Sequence, residues 1–110
     1  MNQAVIIMTT TETRQEAIQI GNQMIRDERC ACVQILPQMT SIYKWKGDIQ
    51  NAEEFLVLFK TVQSKTQDLM QSIKKIHSYE TPEIIAVDAA SVDSDYLKWL
   101  QAHTSPDISI

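Results

Sequence analysis

Short apolar segments alternate with two amphipathic helical patterns along this chain, and that order restricts the folds it can adopt. Residues 5–8 form a continuous apolar run, which is typical of a central strand. Within residues 17–25, apolar side chains recur at positions i, i+3, i+4, i+7 and i+8, behind a Thr13-x-x-Glu16 capping box. The pattern predicts a first strand followed by an amphipathic helix.

The middle of the chain predicts a strand and then a hairpin. Residues 32–36 are mostly apolar, and Pro37 interrupts this strand, which indicates a bulge or a sheet edge. Residues 40–46 and 54–61 predict the two arms of a hairpin, joined by a turn that includes Gly47. The second arm is apolar at successive positions, so both of its faces favour burial.

A second helix, a further strand and a short third helix complete the pattern. Ser64-x-x-Gln67 predicts another capping box, and the apolar stripe behind it continues to His77. Pro82 disfavours helical geometry at the residue before it, so this helix must end earlier. Residues 84–87 predict the next strand. The third helix is indicated by Asp93, Asp95, Tyr96, Leu97, Trp99 and Leu100.

This β-α-β-β-α-β order predicts an α+β, ferredoxin-like fold with an antiparallel sheet and a short C-terminal helix. We expect each half to be a strand, a crossover helix and a parallel-paired strand, with both helices on one sheet face. The other face then lacks cover and favours association between copies. The hairpin that carries Tyr43 and Trp45 is longer than the core requires, so both are predicted interface residues.

Length, composition and charge indicate a single domain and disfavour nucleic-acid binding and a membrane span. The 110 residues, 44% of them hydrophobic, predict one domain over residues 1–110 with a polar tail from about Ala102. A net charge of −4 disfavours binding to nucleic acids, and no 18-residue apolar run predicts a membrane span. No basic segment precedes the first apolar run, so no signal peptide is indicated. Together with only two cysteines, this predicts a cytoplasmic location.

Cys30 and Cys32 form a C-x-C pair. On one strand their side chains would share a face about 6.5–7 Å apart, near the limit of disulfide geometry. Such a pair can also bind a soft metal through its thiolates. We favour a structural role, because cysteine is among the most buried residue types and this pair opens an apolar strand.

Several short segments, in this order and spacing, resemble the CutA family of divalent-cation-tolerance proteins. The resemblance extends over about residues 5–100 and implies a homotrimer similar in architecture to PII-type signalling proteins. It further implies a link to tolerance of divalent metals, copper above all, and no established enzymatic activity. The segments are Ala31-Cys32-Val33 with Pro37, Thr40-Ser41-Ile42-Tyr43-Lys44-Trp45-Lys46-Gly47, Lys60-Thr61, His77-x-Tyr79-Glu80-x-Pro82-Glu83 and Tyr96-Leu97-x-Trp99.

The resemblance also implies candidate metal ligands. A copper site described in some family members uses a first-strand cysteine, which falls on Met8, and two adjacent histidines, which fall on Ile76 and His77. A thioether and one imidazole suit Cu(I) but make a poor Cu(II) or zinc site. The predicted metal ligands are therefore His77 and Met8, with Cys32. No cofactor is required, and copper or another divalent metal is the candidate ion.

A second predicted site is a ligand cleft. Its members match family positions, and they would converge if the hairpin of one subunit reached the second helix of another. The mixed charge around His77 favours a small polar or zwitterionic ligand. The simpler interpretation of His77 is a helix-terminal residue with a partly buried ring. The predicted cleft residues are Ser41, Trp45, Lys60, His77, Tyr79 and Glu80.

Four functions compete. We favour a non-enzymatic, trimeric, metal-responsive protein whose partners are its own copies and a metal ion or small polar ligand. A PII-like ligand sensor with inter-subunit clefts is the runner-up. An acylphosphatase-like hydrolase needs a phosphate-binding arginine loop, but Arg14, Arg26 and Arg29 all lie on or near the first helix. An RNA-binding domain would need a basic aromatic strand, whereas Phe55 and Phe59 follow acidic residues.

Overall fold

The computed structural model describes residues 2–104, in which each predicted strand and helix is present. Residues 105–110 of the predicted tail lie outside the described part. No helix within the described residues is long and apolar enough to cross a membrane. The elements are β1 (Ala4–Thr11), α1 (Arg14–Arg26), β2 (Cys32–Ile35), β3 (Met39–Trp45), β4 (Asp48–Val62), a 3₁₀ turn (Gln63–Lys65), α2 (Thr66–Ile76), β5 (Ile84–Asp88) and α3 (Ser94–Ala102).

The sheet has the strand order β2-β4-β1-β5, and every pairing in it is antiparallel. β3 pairs with the first half of β4 and forms the predicted hairpin. The prediction of parallel pairing within each half is wrong. β1 and β2 run parallel, but β4 lies between them, and β1 likewise separates β4 from β5. Each helix therefore connects two parallel strands that have one antiparallel strand between them.

One face of the sheet packs against α1 and α2. On β1, Val5, Ile7 and Thr9 point to this face and pair with Thr61, Phe59 and Val57 of β4. Their burial is complete or nearly so, because two apolar helical stripes cover them. The helix residues in this core are Ala17, Ile20, Met24, Leu69 and Ile73.

Within residues 2–104, the opposite face is covered at one end only. There, Leu100 of α3 packs against Ala4 and Val62, so α3 shields part of the face expected to lack cover. Further along, Ile85 and Val87 of β5 remain 46% and 44% exposed. An apolar strip of sheet is therefore left open by the described residues of a single copy.

The two predicted capping boxes differ in outcome. Thr13 caps α1 as expected, with its hydroxyl accepting from the Glu16 backbone N–H at 3.1 Å. The box at Ser64 is wrong, because α2 begins at Thr66 after the 3₁₀ turn. The Ser64 hydroxyl accepts instead from Asn2 Nδ2, and its backbone N–H donates to Asn2 Oδ1, both at 2.9 Å. Ser64 thereby fastens the N-terminus to this turn.

A tight turn extends the hairpin beyond the sheet. Lys46 and Gly47 both have positive φ, 51° and 88°, which matches the twist of the flanking strands. Trp45 pairs directly with Asp48 across this turn, so β4 begins six residues earlier than predicted. The resulting arm leaves Ile49 70% exposed.

Two isoleucines on α1 test where the core lies. Ile20 is 2% exposed, whereas Ile25, on the same helix, is 39% exposed. We expect Ile20→Ala to lower the free energy of unfolding by about 2–5 kcal/mol, because it removes buried methyl groups and leaves a cavity. Ile25→Ala should cost less than about 1 kcal/mol. Urea denaturation at one protein concentration measures both, and equal losses would contradict this packing.

Candidate ligand-binding groove

A groove of about 850 Å³ lies between the hairpin, the end of β1 and the loop of residues 77–83. The hairpin contributes Ser41, Tyr43 and Trp45, whose alternating positions place them on one face of β3. The loop contributes Tyr79 and Glu80. Residues distant in sequence therefore meet in one cavity within a single chain.

His77 holds the loop wall of the groove in place. The residue ends α2, its side chain is fully buried, and Nε2 lies 2.7 Å from the Thr10 carbonyl oxygen. Nδ1 accepts from the Tyr79 backbone N–H at 3.0 Å, so the ring proton is on Nε2. β5 pairs with β1 only as far as Thr9. His77 therefore bonds to a β1 carbonyl just beyond the end of that ladder.

Glu16 fastens the same loop to α1. Its two carboxylate oxygens accept from the backbone N–H and the hydroxyl of Ser78, each at 2.9 Å. Glu16 Oε2 also lies 3.7 Å from Nδ1 of His77. In a capping box this side chain would bond back to the helix N-cap. Here the Glu16 carboxylate connects two distant segments of the chain.

Tyr79 joins the loop to β4. Its hydroxyl donates to Glu54 Oε2 at 2.8 Å, and its ring centroid lies 4.8 Å from that of His77. Burial is the main cause that raises the pKa of Tyr79 above its usual range, followed by the hydrogen bond to Glu54 and the nearby glutamates. Tyr79 therefore remains a neutral hydrogen-bond donor. Glu54 is only 7% exposed and has the Tyr79 hydroxyl as a partner.

Four of the six predicted cleft residues line the groove: Ser41, Trp45, Tyr79 and Glu80. His77 lies behind the wall and supports Tyr79. Lys60 does not belong to the groove, because it follows Glu54 by six residues on β4, about 20 Å away along the strand. Its Nζ lies 6.0 Å from the centre of the Tyr96 ring on α3.

The charge of the groove differs from the expected mixture. Without Lys60, no lysine or arginine appears among the described residues that line it. Glu54 was not among the predicted site residues, although the two-residue period places it on the β4 face that carries Leu56 and Leu58. The groove glutamates are Glu12, Glu53, Glu54, Glu80 and Glu83.

The predicted metal ligands do not meet within one chain. Cys32 and Met8 lie on strands that flank β4 and are two residues out of register, so about 12 Å separates their Cα atoms. His77 uses both ring nitrogens in hydrogen bonds. Within residues 2–104, no three or more histidine, cysteine, aspartate or glutamate side chains are grouped closely enough to hold a metal ion. Metal binding itself stays a prediction.

The two cysteines are free thiols in different surroundings. Cys30 precedes β2 instead of lying on it and is 1% exposed, within the helix-covered core. Burial, with a smaller effect of the neighbouring Cys32, raises the pKa of the Cys30 thiol to about 12. These surroundings suit a packing role for Cys30, in line with the structural interpretation.

Comparison with known proteins places this architecture in a family. The profile of the family described as "CutA1 divalent ion tolerance protein" matches residues 5–103. The chain belongs to the CutA1 family. It is 33% identical over 99 residues to "Divalent-cation tolerance protein CutA" of Thermus thermophilus, which covers 90% of this chain and 96% of that protein. The recognition of the family from sequence motifs is confirmed.

Other relatives extend the comparison. "Protein CutA, chloroplastic" of Arabidopsis thaliana is 31% identical over 101 residues, 92% of this chain but 56% of that longer protein. The solved structure of CutA1 from Ehrlichia chaffeensis superposes with a TM-score of 0.92 at 30% identity, covering 96% of this chain and 99% of that one. The α+β fold with an antiparallel sheet is thus the fold of the family.

The raised pKa of Tyr79 predicts a pH dependence of stability. An unfolded tyrosine loses its proton from about pH 10, whereas Tyr79 in the folded protein retains it to higher pH. The contribution of Tyr79 to the free energy of unfolding is therefore complete below about pH 10 and is lost as the pH rises further. We expect the free energy of unfolding to fall less steeply above this pH in Tyr79→Phe than in the wild type.

Urea denaturation at several pH values measures this slope. Tyr43→Phe alters a half-exposed ring of the same groove and serves as the matched control. If Tyr79→Phe and the wild type lose stability in parallel above about pH 10, the Tyr79 hydroxyl is not buried beside Glu54 in solution as the structure has it.

Proposed function

We propose that this protein acts in the tolerance of divalent metal ions, copper in particular, as a non-enzymatic protein. The observation that carries the proposal is the family match over residues 5–103, with relatives named as divalent-cation tolerance proteins. The site itself favours binding over catalysis. His77 has both nitrogens engaged, so its imidazole is not available as a general base in this arrangement.

Growth of bacteria under metal stress tests this function. In a strain that lacks its own CutA family protein, we expect the chain to restore growth at a copper concentration that stops cells carrying the empty vector. Zinc, cobalt and manganese are tested in parallel to establish which ion matters. Equal expression is verified by immunoblot. A well-expressed protein that improves growth under none of these metals would contradict the proposed function.

We propose further that the chain has the ferredoxin-like topology and assembles as a homotrimer. The strand order β2-β4-β1-β5 supports the topology. The apolar strip on the sheet face opposite α1 and α2 supports association, since exposed apolar patches of this kind mark interfaces. The projecting hairpin, with Ile42 and Ile49 each 70% exposed, favours contact with a neighbouring copy. Tyr43 and Trp45 are the proposed anchors.

Sedimentation equilibrium tests the assembly. At micromolar concentration we expect a mass three times the 12.6 kDa of one chain. Trp45→Ala should raise the concentration at which the trimer dissociates, because truncating an interface tryptophan costs on the order of 2–4 kcal/mol. Ile25→Ala, on the helix-covered side, is the control and should leave dissociation unchanged. A monomeric wild type would contradict the trimer, and an unchanged Trp45→Ala would remove Trp45 as an anchor.

A second candidate function is that of a small-ligand sensor, the PII-like alternative. The groove favours it, because a cavity of about 850 Å³ with polar groups fixed by hydrogen bonds is of the size that accommodates small ligands. The two functions are compatible, since ligand occupancy could report on the same metal stress. We also propose a cytoplasmic location, in keeping with two free thiols.

A further inference from the structure

We propose that α3 is a lid, which detaches from the sheet while the rest of the domain stays folded, and that the backbone carbonyls of residues 2–4 form the latch that holds it closed. The inference depends neither on metal tolerance nor on a ligand in the groove. It concerns the sheet face opposite α1 and α2, which α3 covers at one end.

The first argument is that α3 packs in a small apolar cluster of its own. Leu100 is the one buried residue of α3, and it packs on Ala4 and Val62. The larger cluster under α1 and α2 lies on the other sheet face and, within residues 2–104, shares no buried residue with this one. Elements that are joined to a domain by few buried apolar contacts open at a lower free energy than its core. The packing of α1 and α2 therefore does not depend on α3.

The second argument is that the large side chains of α3 contribute little to its attachment. Tyr96 and Trp99 are 38% and 41% exposed, and their rings stack on each other with centroids 5.6 Å apart. Trp99 also contacts His103, one turn further along, at 4.7 Å. Nζ of Lys60, on the sheet, lies 6.0 Å from the Tyr96 centroid, at the outer limit of a cation–π contact. These rings contact one another along the helix more closely than Tyr96 contacts Lys60.

The third argument is the position of the latch. The Asn2 carbonyl accepts from Nε2 of Gln101, on α3, at 3.0 Å. The next two carbonyls, those of residues 3 and 4, accept from the backbone N–H groups of Gln63 at 2.8 Å and Ala89 at 3.1 Å. Three successive carbonyls thus join α3, the 3₁₀ turn and the segment after β5 at one point. The N-terminal residues therefore hold the lid on an anchor that belongs to the folded sheet.

Opening of the lid would lengthen the apolar strip of the sheet. Ala4 and Val62 pair directly beneath α3. One step along the same face lies Ile6, whose partner on β5 is the exposed Val87. The residues under the lid therefore continue the strip on which we propose that copies of the chain associate. A closed lid sets where this surface ends, and an open lid extends it.

Native-state amide hydrogen exchange at pH 7 tests the lid. A helix of nine residues is not stable by itself in water, so the amides of α3 lose their hydrogen bonds when it detaches. Corrected for intrinsic rates, they should exchange at least about a hundredfold faster than those of β1 and β4. Ile20→Val should speed exchange in β1 and β4 by about two- to tenfold. It should leave α3 unchanged, because Ile20 stays packed when the lid alone opens.

Two alanine variants of α3 test the latch. Gln101→Ala removes the hydrogen bond to Asn2 and should speed exchange in α3 about fivefold. Lys98→Ala, at an exposed position of the same helix, is the matched control and should not speed it, since alanine favours helix in both variants. Sedimentation verifies that all variants share one state of assembly.

Three results would overturn the inference. If the amides of α3 are as protected as those of β1, or if Ile20→Val speeds both by the same factor, α3 opens only when the whole domain unfolds. If Gln101→Ala and Lys98→Ala exchange alike, the N-terminal carbonyls do not hold the lid.

Discussion

The hydrogen bonds of one buried imidazole position the groove wall, and the remaining features of the site depend on them. His77 donates from Nε2 to the Thr10 carbonyl and accepts at Nδ1 from the Tyr79 backbone N–H. The ring thereby joins the end of β1 to the loop that follows α2. Without it, a carbonyl beyond the β5 ladder would lose its donor, and a buried polar group left unsatisfied costs about 1–3 kcal/mol.

The position of Tyr79 then determines the character of the groove. His77 holds the Tyr79 backbone and Glu16 holds the adjacent Ser78, and in this position the Tyr79 hydroxyl donates to Glu54. Glu54 in turn belongs to β4. The first half of β4 pairs with β3, which contributes Tyr43 and Trp45 to the groove. A core strand, two helices and a projecting hairpin are thus coupled through a few polar contacts. The negative charge of the groove follows from this arrangement.

Local sequence patterns were sufficient to predict the strands and helices, because the spacing of apolar residues and the signals at helix ends act within a few residues. Thr13 capped α1, and α2 ended before Pro82, as predicted. Predictions that depended on distant partners were less successful. The Ser64 box was wrong because Asn2, 62 positions away, binds that side chain. Lys60 was misplaced because motif membership does not reveal which end of a 15-residue strand a side chain occupies.

The tautomers of the two histidines test the central claim that His77 fastens the groove wall through both nitrogens. In His103, Nδ1 lies 2.9 Å from the Trp99 carbonyl and must donate, so the two rings should carry their protons on opposite nitrogens. Long-range ¹H–¹⁵N NMR above the titration range of histidine, at about pH 8.5, distinguishes them. The structure predicts Nε2–H in His77 and Nδ1–H in His103. A proton on Nδ1 of His77 would contradict the account.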